Sequence, residues 1–199
     1  MESMFGITIA TFLQTAGLLG VIGVVFAESG LLIGFFLPGD SLLFTAGFFA
    51  SQGFFSPLLL LIGCFGAAVV GDNVGYAFGS HTGKKIFNRD HSFFFHKDHI
   101  ERARLFYEEH GPKTIILARF IPVVRTFAPI IAGVGQMNYR LFLIYNVLGG
   151  ALWSFCLLGL GYILGFAVPH ADQYLTPIIL LIVAVSFLPA IIHLCRKVF

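Results

Sequence analysis

The sequence has little charge and little of the polar surface that a water-soluble domain needs. Charged residues make up 11% of its 199 residues and hydrophobic residues 57%, whereas soluble domains carry about 25% charged residues. The mean hydropathy is +0.89. This composition excludes an ordinary soluble fold and predicts a polytopic membrane protein. The length suits one compact domain, because each crossing uses about 20 apolar residues.

Several functional classes lack the residues that they need. A net charge of +2, without basic runs interleaved with aromatics, excludes nucleic-acid binding. The isolated cysteines predict neither a disulfide nor a zinc site, and His96 with His99 is too sparse for metal binding. No Ser-His or His-Glu-x-x-His set lies in the apolar segments, so we expect no enzyme and no cofactor. The N-terminus lacks the basic region of a signal peptide, which predicts an uncleaved chain.

A proline-containing turn interrupts the apolar sequence twice. The first, Pro38-Gly39-Asp40-Ser41, carries an acid, and the second, Pro122-Val123-Val124-Arg125-Thr126, carries a base. An Ala-Gly pair and then a Gly-Tyr-x-x-Gly segment follow each turn. This echo predicts a duplicated unit whose helices break within the bilayer. Charge at such breaks is typical of a transport site.

Apolar blocks and one polar segment divide the chain. We predict repeat 1 at about residues 17–79, a cytoplasmic amphipathic insert at 80–113, repeat 2 at about 105–165, and a C-terminal transmembrane helix at 174–195. The predicted fold class is an all-α polytopic membrane protein. It would contain an inverted-topology repeat with two opposed re-entrant helical hairpins plus about four transmembrane helices. Residues 5–27 either form a separate crossing, which we favour, or lengthen the first hairpin arm.

The placement of lysine and arginine predicts the orientation. The insert is rich in both, and Arg196-Lys197 lies near the C-terminus, so we expect the insert and both termini in the cytoplasm. Within the insert, Asp98-His99-Ile100-Glu101 is a capping box that predicts an interfacial helix starting near His99. The block 114–135 would then start and end in the cytoplasm, whereas the hairpin around Pro38 would enter from outside.

Four ionisable residues lie at or near the predicted hairpins: Glu28, Asp40, Arg119 and Arg125. Each would cost about 2.5 to 3.5 kcal/mol at the bilayer centre, so their charges must be offset. We expect all four to converge in one neutral cluster that is open to water. Arg119 and Arg125 would bind phosphate through their planar guanidinium groups. Glu28 and Asp40 would exchange protons with the driving gradient.

The residues around these charges are expected to shape the hairpins. The prolines would break the helices, and Asp40 or Ser41 would cap one short helix while Thr126 caps another. Asp72 is predicted to have a structural role through a hydrogen bond to a neighbour. We expect Gly149-Gly150 to allow close helix packing, and we assign no special role to Trp153. The supporting set comprises Pro38, Gly39, Ser41, Asp72, Pro122, Thr126 and Pro129.

Taken together, these motifs resemble the DedA family of bacterial inner-membrane proteins, which contain the VTT domain. The resemblance covers about residues 17–165 and adds Met137, Phe142, Asn146, Gly149 and Trp153 to the motifs above. It implies two opposed re-entrant hairpins and a location in the bacterial cytoplasmic membrane. It also implies a role, dependent on proton motive force, in returning undecaprenyl phosphate to the cytoplasmic leaflet. The family's functional acids and arginines match Glu28, Asp40, Arg119 and Arg125.

The leading prediction is therefore a flippase for undecaprenyl phosphate or a related polyprenyl phosphate. One alternative is a proton-coupled exporter of small cations or osmolytes, in which the acids bind the substrate. The other is a non-transport membrane scaffold, in which structural ion pairs hold the hairpins in place. The expected partners are a polyprenyl phosphate lipid, protons and the bilayer, with no nucleic acid and with self-association left open.

Overall fold

The computed structural model describes residues 2–31, 39–86 and 111–167, and every regular element in these ranges is an α-helix. The predicted all-α class is confirmed. Pro38, the capping box near His99 and the predicted helix at 174–195 lie outside the described residues. The helices are α1 (Glu2–Gly30), α2 (Gly39–Ser51), α3 (Pro57–Ile86), α4 (Lys113–Ala118), α5 (Pro122–Val134) and α6 (Tyr139–Ala167).

Two of the described helices are long and apolar enough to cross a membrane. They are α3, over Pro57–His81, and α6, over Tyr139–Ala167. Both carry large apolar side chains on their exposed faces, among them Ile62 on α3 and Phe155 on α6. Such faces suit contact with lipid rather than water. The helix α3 continues to Ile86 and so extends beyond the predicted end of repeat 1 at residue 79.

The first helix is interrupted at Gly17. This residue has a φ of 61° and a ψ of −159°, a conformation that glycine adopts without a steric penalty. The helix is therefore interrupted within residues 5–27, which we expected to form a separate crossing. The part after the break, Ala16–Gly30, is a short apolar helix. It packs against α3 and buries Val21 and Val25 in the core.

The second break in the chain separates α4 from α5. Pro122 opens α5, where its missing N–H leaves no helical hydrogen bond unmade. Two predictions for this region are wrong. Pro129 lies inside α5 rather than at a break, and Ile121, not Thr126, occupies the N-cap position, with no side-chain cap. Thr126 cannot cap the helix because α5 has already begun at Pro122.

The two repeats pack crosswise. Helix α2 packs mainly on α6, and α5 packs mainly on α3. In each interface a glycine lies so close to the facing backbone that an added Cβ would come within 1.9 to 2.2 Å of a carbonyl oxygen. The close pairs are Gly47 with Leu158, Gly161 with Phe44, Gly79 with Ile130, and Gly133 with Tyr76. The glycines of the Ala-Gly pairs and of the Gly-Tyr-x-x-Gly segments thus lie at the two crosswise interfaces, which accounts for the echo in the sequence.

Candidate functional site

One ionic cluster joins four helices in the middle of the bundle. Arg125 of α5 donates from Nη1 to Asp40 Oδ1 of α2 at 2.6 Å and from Nη2 to Glu28 Oε1 of α1. Trp153 of α6 donates from its indole nitrogen to the same Asp40 oxygen at 2.9 Å. The Arg125 Cζ atom lies 5.0 Å from the centre of the Trp153 ring, within the range of a cation–π contact. We call these four residues the Arg125 cluster.

The Arg125 cluster is buried and holds more acid than base. Glu28 is 2% exposed and Arg125 8%, while the Asp40 side chain is 18% exposed and is the most accessible of the three. Two carboxyl groups thus share one guanidinium. When both carboxyls are ionised, the three groups carry a net charge of −1. One added proton would make the three groups neutral.

The start of α2 belongs to this cluster. The Gly39 amide donates to Glu28 Oε1 at 3.1 Å. Helix N-termini carry unpaired amides and a partial positive charge, which a carboxylate stabilises. A side chain from α1 therefore binds the first amide of α2, whereas Asp40 and Ser41, which we expected to cap this helix, lie inside it. Sequence reasoning placed helix N-termini at the site but did not identify Glu28 as the ligand.

A second cluster holds the other arginine. Arg119 donates from Nη2 to Asp72 Oδ2 of α3 and to Asn146 Oδ1 of α6. Asn146 in turn donates from Nδ2 to the Val69 carbonyl at 3.1 Å. Asp72, Arg119 and Asn146 are all buried, and they contain one acid for one base. We call these three residues the Arg119 cluster.

Both clusters lie along one buried face of α6. Asn146 and Trp153 are seven residues apart, or two helical turns and about 10 Å along the axis. Between them the Arg119 side chain crosses Gly149 and Gly150, where an added Cβ would lie 3.4 Å from Cδ and 3.6 Å from Cζ. The predicted role of these glycines in close packing thus includes room for Arg119.

The structure divides the four predicted residues between two largely buried clusters, one of them with excess acid, whereas we expected one neutral cluster open to water. The physical reason is Asp72, which lies on the face of α3 that Arg119 reaches. Its predicted hydrogen bond to a neighbour is observed as an ion pair. The side chains of Ser41 and Thr126 are buried, and the Thr126 hydroxyl has no hydrogen-bond partner among the described residues.

Trp153 and Asn146 were not predicted from the sequence to belong to an ionic cluster. Trp153 contacts both ends of the Arg125–Asp40 pair, and Asn146 closes the Arg119 cluster. Their spacing was the available signal, because polar groups seven residues apart share one face of a helix. In an apolar crossing helix, such a pair points to a buried polar partner on a neighbouring helix.

Comparison with known proteins agrees with this architecture. The VTT domain model matches residues 37–163. This range begins just before α2 and ends within α6, near its C-terminus. The DedA protein of Escherichia coli K12 is 44% identical over 179 residues, covering 87% of this chain and 80% of that protein. The chain belongs to the DedA family. It is therefore a membrane protein with a VTT domain.

Other DedA relatives extend the likeness across bacteria. An uncharacterized membrane protein of Mycobacterium leprae is 42% identical over 192 residues, covering 96% of this chain and 86% of the relative. The inner membrane protein YqjA of Escherichia coli K12 is 32% identical over 161 residues, covering 79% of this chain and 73% of the relative. No solved structure matches the chain.

Proposed function

We propose that this DedA-family protein moves undecaprenyl phosphate, or a related polyprenyl phosphate, between the leaflets of a bacterial cytoplasmic membrane. The observation that carries the proposal is the Arg125 cluster, in which one buried guanidinium is held by two carboxyl groups. Burial of ionisable side chains within a membrane costs free energy, so such side chains are typical of sites that act on a substrate or an ion. A phosphate head group has the charge and the oxygen geometry that a guanidinium prefers.

Arg125 is the arginine that the geometry favours for substrate binding. Its two terminal nitrogens already hold separate carboxylates, so a single phosphate could take over bonds that two acids now make. Arg119 has one acid and one amide for partners and is balanced in charge. We therefore assign head-group binding to Arg125 and support of the bundle to Arg119. The polyprenyl tail would remain in the lipid beside the apolar faces of α3 and α6.

Proton coupling follows from the excess acid in the Arg125 cluster. Protonation of Glu28 or Asp40 weakens the hold of that residue on Arg125, because a neutral carboxyl attracts a guanidinium less than a carboxylate does. Arg125 is then free to take the phosphate. Release of the proton on the other side restores the ion pair and expels the phosphate. The proton gradient would thus set the direction of lipid movement.

The breaks before α2 and α5 would lie inside the bilayer as the turns of two re-entrant hairpins that enter from opposite faces. The crosswise packing of α2 on α6 and α5 on α3 supports this inverted repeat. We further propose that both termini are cytoplasmic. Accessibility labelling of single cysteines introduced into residues 87–110 and near both termini would test the orientation in intact cells.

The test of the function is reconstitution into liposomes with a labelled polyprenyl phosphate. We expect the protein to accelerate transfer between leaflets and an imposed proton gradient to bias it. Arg125→Lys should slow transfer by roughly tenfold or more, because lysine cannot make the paired bonds of a guanidinium. Glu28→Gln should remove the response to the gradient, and Asp40→Asn should weaken it. Tyr139→Phe, which removes an exposed hydrogen bond to Asn73, is the matched control. No acceleration over empty liposomes would overturn the proposal.

The excess negative charge of the Arg125 cluster also favours a second candidate, an exporter of small cations coupled to protons. In that case the acids bind the substrate and Arg125 tunes them. Glu28→Gln and Asp40→Asn should then abolish transport of a cation such as a quaternary ammonium, while Arg125→Lys should be tolerated. The opposite ranking of these variants, in a lipid assay and a cation assay run side by side, separates the two functions.

A further inference from the structure

Glu28 occupies a position that is built to hold an anion. Its Oε1 atom accepts hydrogen bonds from the Arg125 guanidinium and from the Gly39 amide at the start of α2. The helix is 13 residues long, so its N-terminus carries the partial positive charge of a full macrodipole. A guanidinium and a helix N-terminus on one oxygen form the same combination that binds phosphate at the ends of helices.

The fit of Glu28 to this position is close but incomplete. A Cβ at residue 39 would lie 1.3 Å from Glu28 Oε2, so a larger residue there would force the carboxylate out of its present position. Yet Oε2 is buried and has no hydrogen-bond partner among the described residues. The site therefore satisfies one carboxylate oxygen and leaves the second unpaired, which is costly in a buried position. An occupant with more oxygens and more charge would use the same donors better.

We propose that Arg125 and the N-terminus of α2 form the head-group site for a phosphate monoester, and that Glu28 fills this site when the substrate is absent. This inference rests on the proposed function and names the place where the lipid phosphate binds. The carboxylate and the phosphate exclude each other, because both need the Gly39 amide and the same nitrogen of Arg125. Glu28 must give up its negative charge, by taking a proton, before it leaves the site for the phosphate.

The surroundings of Glu28 define what else can titrate with it. On the helices that pack against α1, the charged groups near Glu28 are Asp40 of α2 and Arg125 of α5, and α3 contributes Asp72 beside the contact of Gly71 with Ser29. Asp72 is paired with Arg119. Asp40 shares Arg125 with Glu28, so it is the group whose titration must be separated from that of Glu28.

The protein carries its own probe for this exchange. Trp153 is the single tryptophan in the sequence, and it contacts both Arg125 and Asp40. Its fluorescence should change when a phosphate replaces Glu28 beside Arg125. Titration of the full chain in detergent micelles with inorganic phosphate and with farnesyl phosphate compares a free anion with a lipid head group. Sulfate, whose charge is constant across the neutral range, separates the proton on the protein from the proton on phosphate.

We expect the wild-type protein to bind all three anions more tightly as the pH falls. Glu28→Ala should bind them roughly tenfold more tightly at neutral pH, with most of the pH dependence for sulfate lost. Asp40→Asn should keep the pH dependence, because the competing carboxylate is still present. Arg125→Lys should bind weakly at every pH, and Tyr139→Phe should match the wild type.

If Glu28→Ala does not fold, Glu28→Gln provides a neutral side chain of the same length and should also lose the pH dependence.

Unchanged or weaker sulfate binding in the Glu28 variants would overturn the inference, as would tight binding by Arg125→Lys. Farnesyl phosphate binding tighter than inorganic phosphate binding identifies a lipid head group as the ligand. Equal binding of the two overturns the assignment to a lipid. The outcome is independent of transport: competition at Glu28 without lipid transfer would reject the proposed function alone, and lipid transfer without competition would reject this inference alone.

Discussion

The Arg125 cluster and the Arg119 cluster each hold one buried arginine, and each has one buried polar atom without a partner among the described residues, but they differ in their number of carboxyl groups. Around Arg125 there are two carboxyl groups, and one of their oxygens has no partner in the described part of the chain. Around Arg119 there is one carboxyl group and an amide, and that amide is itself anchored to the Val69 carbonyl. The first arrangement has an excess of acid, and the second is balanced.

This difference in acid content matches the proposed division between a site for exchange and a site for support. A balanced buried ion pair loses much when one partner leaves, because the other charge remains buried and unpaired. A cluster with a spare carboxyl group can lose one acid and still keep its arginine paired. Both clusters involve α6, so under the proposed function the balanced one fixes the helix while the other changes its partners.

The largest effect is expected from removing the acid of the balanced cluster. Asp72→Ala should lower the free energy of unfolding by about 3 to 5 kcal/mol, because Arg119 loses its one charged partner in the described structure. Glu28→Ala should cost clearly less, since Arg125 keeps Asp40 and Trp153. Unfolding in mixed micelles by titration with a denaturing detergent measures both. Equal losses would show that the two clusters do not differ in this way.

The second prediction converts one cluster into the other. Asn146→Asp gives Arg119 two carboxyl groups, as Arg125 has, and should cost on the order of 3 kcal/mol near neutral pH. The loss should shrink as the pH falls, because protonation of one carboxyl restores one carboxylate per guanidinium. Asn146→Leu is the matched control, with a loss that stays constant over the same pH range. A loss for Asn146→Asp that does not depend on pH would count against the charge argument.

A third variant tests the fit between Glu28 and the start of α2. Gly39→Ala should destabilise the wild-type protein by about 1 to 3 kcal/mol, because the new methyl group would overlap the Glu28 carboxylate. In the Glu28→Ala background the same change should cost much less. A double-mutant cycle on unfolding midpoints gives the coupling between the two positions. Additive effects would mean that Glu28 does not occupy this position.

The smallest effect is expected at Trp153. Trp153→Phe keeps an aromatic ring against Arg125 but removes the hydrogen bond to Asp40, which should cost about 1.5 kcal/mol. Tyr139→Phe loses only an exposed hydrogen bond of 3.0 Å to Asn73 and should cost about 0.5 kcal/mol. Both are measured by the same unfolding titration. A cost for Trp153→Phe no larger than that of the control would show that the indole does not position Asp40.

Much of the fold could be predicted because it depends on local composition and repetition. The apolar blocks predicted the two helices that are long and apolar enough to cross a membrane, α3 and α6, and the second proline turn indicated where α5 begins. The errors arose where position within a helix mattered. Pro129 was predicted to break a helix and Thr126 to cap one, but both lie inside α5 because that helix starts at Pro122. The break at Gly17 was missed because a lone glycine in apolar sequence also fits an unbroken helix.

The sequence by itself determined the membrane class, the all-α fold and the DedA family, because these follow from composition and from motifs that can be read along the chain. Only the tertiary structure decided which acid meets which arginine. Asp72 and Arg119 are 47 residues apart, and Glu28 and Arg125 are 97 apart. Their pairing depends on which faces of distant helices meet, and that is set by the crosswise packing of the glycine segments. A list of charged residues contains no such information.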